Sequence, residues 1–296
     1  MMLWTNRIFR CRGLLMPPIM TALLMSAAAN GVAAATDAIE MSISPFLPPH
    51  VLLTNYAPMR AHLERELQQP VSLVTAPDYR TYNERILRGE PAFLIAVASS
   101  AQLAIEDKGY VPFLRPEIYT RPILIVAQDS DIQRVTDLHG RLIVTTDRMA
   151  VVAMQGIEML HKAGLTPDRD VTLRHLANHA AAINYVISHD ADAAIVSDRA
   201  LMQMPTAQQQ SVRKISDWKP GAAPGVVYLA RADISAEQVA RMKSAISEFV
   251  ANTDEGRAMM EATGYGNLVT TDAKELSFLA PYAAELRSLL NASATK

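Results

Sequence analysis

From Ile39 onward the chain alternates short apolar, β-branched runs with stretches of helical spacing, and this alternation constrains the fold more than any other feature. The segments "VSLVTA", "AFLIAV", "ILIVAQD", "LIVTT" and "AAIV" read as strands. Between them, "HVLLTNYAPMRAHLERELQQ" places Leu52, Tyr56, Met59, Leu63 and Leu67 on one helical face. Strands separated by helices of that length pair in parallel through crossovers, which gives an α/β fold with helices on both faces of each sheet. Two such blocks follow one another, and beyond the strand "GVVYLA" the pattern turns helical. There Ser235 and Gln238 form a capping box and Gly264 closes a short helix. The sequence therefore predicts two lobes, each a mostly parallel sheet flanked by helices. Lobe 1 takes residues 36–126 plus 227–296 and lobe 2 residues 127–226. Ligands of such sheets bind beyond the carboxyl ends of the strands, here in the cleft between the lobes.

At 296 residues the chain has room for both lobes. A net charge of −2 without a basic run, and only 6% aromatic residues, argue against a nucleic-acid partner. The first 35 residues carry Arg7, Arg10 and Arg12, then an apolar run interrupted by Pro17 and Pro18, then alanines before Thr36. That order predicts a secretory signal peptide cleaved after Ala35, with a retained N-terminal anchor as the alternative. The sole cysteine, Cys11, would leave with it, so no disulfide or thiolate chemistry is expected of the exported chain.

The segments "LVTAPDYRTYNERILRGEPAFLIAVASSAQLA", "ILIVAQDSDIQRVTDLHGRLIV", "GIEMLHKAGLTPDRDV", "NHAAAINYVISHDADAAIVSD" and "DEGRAMMEATGYGNLV" occur in one order. In that order the chain resembles the phosphate/phosphite/phosphonate ABC-transporter substrate-binding family, which has the type 2 periplasmic binding protein fold. The resemblance runs from about Ser42 to the final helix and implies a periplasmic, two-lobed protein that closes on a small solute.

By the same resemblance, Met149, Ala150 and Val151 occupy a helix mouth where relatives carry hydroxyl residues and glycine. A shift of a few residues would bring Thr145, Thr146 and Asp147 there instead, and Asp147 would oppose an anion. The mouth as it stands implies a less anionic or bulkier ligand. Ser99 and Ser100 match a ligand-facing loop and could equally cap the helix that follows. Tyr119, Thr120 and Arg121 match the crossing into the second lobe, where Arg121 could pair with an oxyanion or serve as a hinge residue. His179, Asp198 and Tyr79 complete the implied ligand set, with helix-end or capping roles as alternatives for the first two.

No nucleophile elbow, zinc-helix or phosphate-loop motif is present, so neither an enzyme, a cofactor nor a metal is expected. The implied partners are a small-molecule ligand and an ABC permease. A membrane sensor kinase, or a membrane complex that keeps the N-terminal anchor, remains an alternative.

Overall fold

A computed structural model describes residues 38–215 and 221–292. The signal-peptide reading and Cys11 lie outside these residues. The first lobe opens with β1 (Ile39–Ile43), α1 (Pro49–Leu67), β2 (Val71–Thr75), α2 (Tyr79–Leu87), β3 (Phe93–Ala96), α3 (Ala98–Lys108) and β4 (Val111–Pro116). The chain then crosses to β5 (Pro122–Ala127), β6 (Leu142–Thr145), α4 (Val151–Lys162), β7 (Thr172–His175) and α5 (His179–Ile187). The second lobe ends with β8 (Ala193–Ser197), α6 (Asp198–Met202), α7 (Thr206–Gln210) and β9 (Val212–Lys214). The return segment adds β10 (Val227–Ala230), α8 (Ala236–Asn252), α9 (Asp254–Thr263), β11 (Leu268–Thr270), α10 (Ala273–Leu276) and α11 (Ala280–Ala292).

Two sheets result, a six-stranded one in the order β11-β4-β10-β3-β1-β2 and a five-stranded one in the order β7-β6-β8-β5-β9. Each is mixed. Parallel pairing is confined to β2-β1-β3 and β7-β6-β8, where helical crossovers connect the strands. β10 and β5, which enter their sheets from the other lobe, run antiparallel to their neighbours, β3 and β4 in one sheet and β8 and β9 in the other. Alternation of strand and helix patterns carries no signal for that reversal, yet four of the six strands in one sheet and four of the five in the other share one direction, so the sheets are mostly parallel as expected.

The crossing itself falls at Thr120 and Arg121. β5, which the sequence reading kept in lobe 1 as far as Val126, is hydrogen-bonded within the second sheet. The outgoing and returning segments meet in an antiparallel bridge between Thr120 and Ala223, with N···O distances of 2.8 and 3.0 Å. The helical periodicity read from α1 is met by burial of Leu52, Tyr56, Met59, Leu63 and Leu67, and the Ser235/Gln238 capping box forms.

Candidate ligand-binding cleft

The lobes enclose a cavity of about 30 Å³, measured at the centre of a water molecule. Lobe 1 contributes Phe46, Tyr79 and Val97; lobe 2 contributes Ala150, Val151, Val152, Gln155, His179, Ser197, Ala200 and Gln203. Thr120, Ala223, Pro224 and Gly225 come from the crossing segments, and Tyr265 from the loop after α9.

Helix starts surround this cavity, as the carboxyl ends of the strands dictate. Tyr79 and His179 are the first residues of α2 and α5, whose N-caps Asp78 and Asn178 accept from Thr81 N and Ala181 N. The other two long helices start differently. α3 begins after Val97 and α4 after Ala150, and neither has a side-chain cap. The first N–H groups of α4, on Val151 and Val152, therefore have no intrahelical acceptor and open onto a buried space. Asp147 shapes the turn before them by accepting from Met149 N at 2.8 Å, and its burial raises its own pKa.

Two hydroxyls on the cavity wall have no hydrogen-bond partner among the described residues. Tyr79 is 1% exposed and Thr120 6%, and both oxygens are buried. Burial, with the Asp147 charge adding to it, raises the Tyr79 phenol well above its ordinary pKa. The Tyr265 hydroxyl lies beside Thr120, but the pair falls short of hydrogen-bond geometry; burial, above all, pushes that phenol up to about 12. Only glycine fits between these two at position 225. A Cβ there would stand 2.7 Å from Thr120 Oγ1 and 2.7 Å from Tyr265 Oη.

His179 is also fully enclosed, and burial lowers its pKa to about 4, so the ring is neutral at physiological pH. Its Nδ1 accepts from Ser197 N at 3.4 Å, which leaves the proton on Nε2. No described residue lining the cavity carries a formal charge at neutral pH.

Of the residues implied by the family resemblance, the structure gathers Tyr79, Thr120, Ala150, Val151 and His179 around the cavity. It places the others elsewhere. Met149 packs into the apolar cluster of lobe 1 with Tyr79 and Val97, as do Ala150 and Met154. Ser99 Oγ donates to Met149 O at 2.9 Å, a buried bond between the lobes. Ser100 is enclosed in α3. Tyr119 stacks on Phe278 at 6.3 Å beneath the Arg115 guanidinium. Arg121 is exposed, and its backbone N donates to Asp198 Oδ1 at 3.1 Å, so Asp198 ties α6 to the crossing strand. The cavity is completed by residues that the sequence reading did not single out. Gln155 follows Val151 by four positions on the same face of α4, the one signal from which it was accessible. Gln203, Gly225 and Tyr265 arrive by tertiary packing alone.

The sequence pattern of the periplasmic substrate-binding proteins of phosphonate ABC transporters matches residues 41–276. The chain belongs to this family. Its fold is that of solved type 2 periplasmic binding proteins. A binding-protein component of an ABC phosphonate transporter from Pseudomonas aeruginosa superposes with a TM-score of 0.71 at 14% identity, over 87% of this chain and 99% of that one. PhnD1 from Prochlorococcus marinus, solved with methylphosphonate, gives 0.74 at 12% identity, over 84% and 98%. A Xanthomonas citri protein solved with chloride gives 0.64 at 15% identity, over 85% and 99%. No curated protein matches the sequence.

Proposed function

We propose that this protein captures a small solute in the cavity between its lobes and delivers it to the permease of an ABC importer. The carrying observation is the pair of buried hydroxyls without a partner among the described residues, Tyr79 on the lobe 1 wall and Thr120 at the crossing between lobes. A buried donor without an acceptor costs about 1–3 kcal/mol, and a solute that accepts from both recovers it. Thr120 belongs to the Thr120–Ala223 bridge at the crossing, so a solute bound there contacts both lobes and the segment about which they turn.

Binding rather than catalysis is the reading favoured by His179. Its Nδ1 is engaged by a backbone N–H of Ser197, not by a hydroxyl it could deprotonate. The Ser197 hydroxyl is itself committed to capping α6 through Arg199 N and Ala200 N.

The test is a thermal-shift screen of the purified protein against small oxyanions, carboxylates, amino acids and neutral polar solutes. A ligand at a hundredfold its dissociation constant stabilises the fold by about 2.7 kcal/mol. Transport is then tested by ligand-dependent uptake into vesicles that carry the cognate permease. Binding without uptake would remove the import role, and silence across the panel would remove the binding role.

A further inference from the structure

We infer that Met202 is a site of reversible oxidation by peroxide, and that its sulfoxide releases a contact between the lobes. The site lies outside the cavity, on the groove that α1 and α9 of lobe 1 form with α6 of lobe 2. Three observations carry it. First, Met202 is the one exposed methionine among the described residues, at 43%. Six others are buried, and Met159, Met204 and Met259 are half-buried. An oxidant in solution therefore meets this thioether first. With hydrogen peroxide the S–O bond forms as the O–O bond breaks and water leaves, and the sulfur gives up two electrons.

Second, Met202 is the last residue of α6 and packs across the lobes on Gly264, the left-handed cap of α9 at φ 64°. A Cβ on Gly264 would stand 2.7 Å from Met202 Cε and 3.1 Å from Met202 Sδ. The contact has no room for one more atom. Nor does Gly264 offer a donor to a sulfoxide, because its N–H is engaged by Met260 O and Glu261 O at 3.0 and 3.1 Å. The added oxygen must point away from lobe 1.

Third, an acceptor is wanted on the other side. Arg199, one turn earlier on α6, brings Nη1 to 3.2 Å from Met202 Sδ, and its buried Nε has no acceptor among the described residues. A thioether accepts weakly from a guanidinium, whereas the polar sulfoxide oxygen accepts well. Oxidation thus turns the side chain toward Arg199 and off Gly264, and the α6–α9 contact between the lobes is lost. Gln203, the next residue, lines the cavity, so the release reaches the solute site as well.

The test uses purified protein without solute, graded amounts of hydrogen peroxide, and peptide mapping by mass spectrometry. Met202 sulfoxide is expected to form at least about tenfold faster than that of the buried methionines, and ahead of Met159, Met204 and Met259. X-ray scattering should then show a larger radius of gyration, which methionine sulfoxide reductase reverses. Met202→Leu keeps an apolar side chain on Gly264 and should hold one radius before and after peroxide. Met202→Gln carries a fixed oxygen on its δ-atom and should be expanded without any oxidant. Equal oxidation of the half-buried methionines would overturn the site. An unchanged radius once Met202 is oxidised, or expansion of the Leu variant by peroxide, would overturn the release. None of these readouts needs a solute, so they fail or succeed independently of the binding role.

Discussion

Among the described residues nothing accepts from or donates to the buried hydroxyls of Thr120 and Tyr79. Such groups weaken the free protein. Thr120→Val keeps the shape and removes the orphan, so the ligand-free protein should gain about 1 kcal/mol and melt about 2–4 °C higher. A lower melting temperature would mean that Thr120 already has a partner. His179 gives the pH counterpart. Its pKa falls from 6.5 to about 4 because burial penalises the imidazolium. Unfolded chains therefore bind the proton first, and stability is complete above pH 6.5 and lost progressively as the pH falls toward 4. The loss should reach about 3 kcal/mol at the acid end, and His179→Gln should flatten that part of the curve. An unchanged slope in the variant would place the acid sensitivity elsewhere. Residues such as these were legible only where a sequence motif placed them. Tyr79 and His179 stand in segments that resemble relatives and Thr120 at the crossing between lobes, whereas Tyr265, although within the family-like "DEGRAMMEATGYGNLV", reaches the cavity from a loop after α9 whose sequence says nothing about where it packs.

At the level of elements, helix α4 decides the character of the cleft, and Gly156 decides where α4 lies. A Cβ at that position would come 2.7 Å from Ile195 Cγ2 on β8, closer than packed carbons approach. Gly156→Ala gains helix propensity but must lift the helix from the sheet. The balance should be a loss of about 1–3 kcal/mol and weaker solute binding, since Val151 and Val152 move with it. Unchanged melting and affinity would show that α4 tolerates the shift. Most elements were readable from period alone, because helix and strand each bury one face and their apolar spacings differ. The direction of strands next to the crossings was not readable. β10 and β3 look alike in sequence, "VYLA" and "FLIA", yet β10 runs antiparallel because it re-enters from the other lobe. The same reasoning explains Met149. Its position at a helix mouth suggested ligand contact, but an apolar side chain there finds the opposite lobe first.

Across the whole molecule, the lobes are held together by that contact and by Ser99, which donates to Met149 O from the other lobe. Met149, Ala150 and Met154 join the apolar cluster of lobe 1, so closure buries apolar surface of its own while the solute supplies the missing acceptors. Ser99→Ala leaves the Met149 carbonyl unpaired only in the closed form. It should weaken solute binding about tenfold without touching the solute, and enlarge the free protein's radius of gyration in X-ray scattering. Wild-type affinity in this variant would show that closure does not depend on the bond. Where the solute sits and what holds it is read by calorimetric titration of the solute that stabilises the protein most in the thermal-shift screen, into the protein and into its Tyr79→Phe/Thr120→Val double variant. One site per chain is expected in the wild type, with affinity about a hundredfold lower in the double variant. Equal affinity in the two proteins would mean that the Tyr79 and Thr120 hydroxyls do not hold the solute.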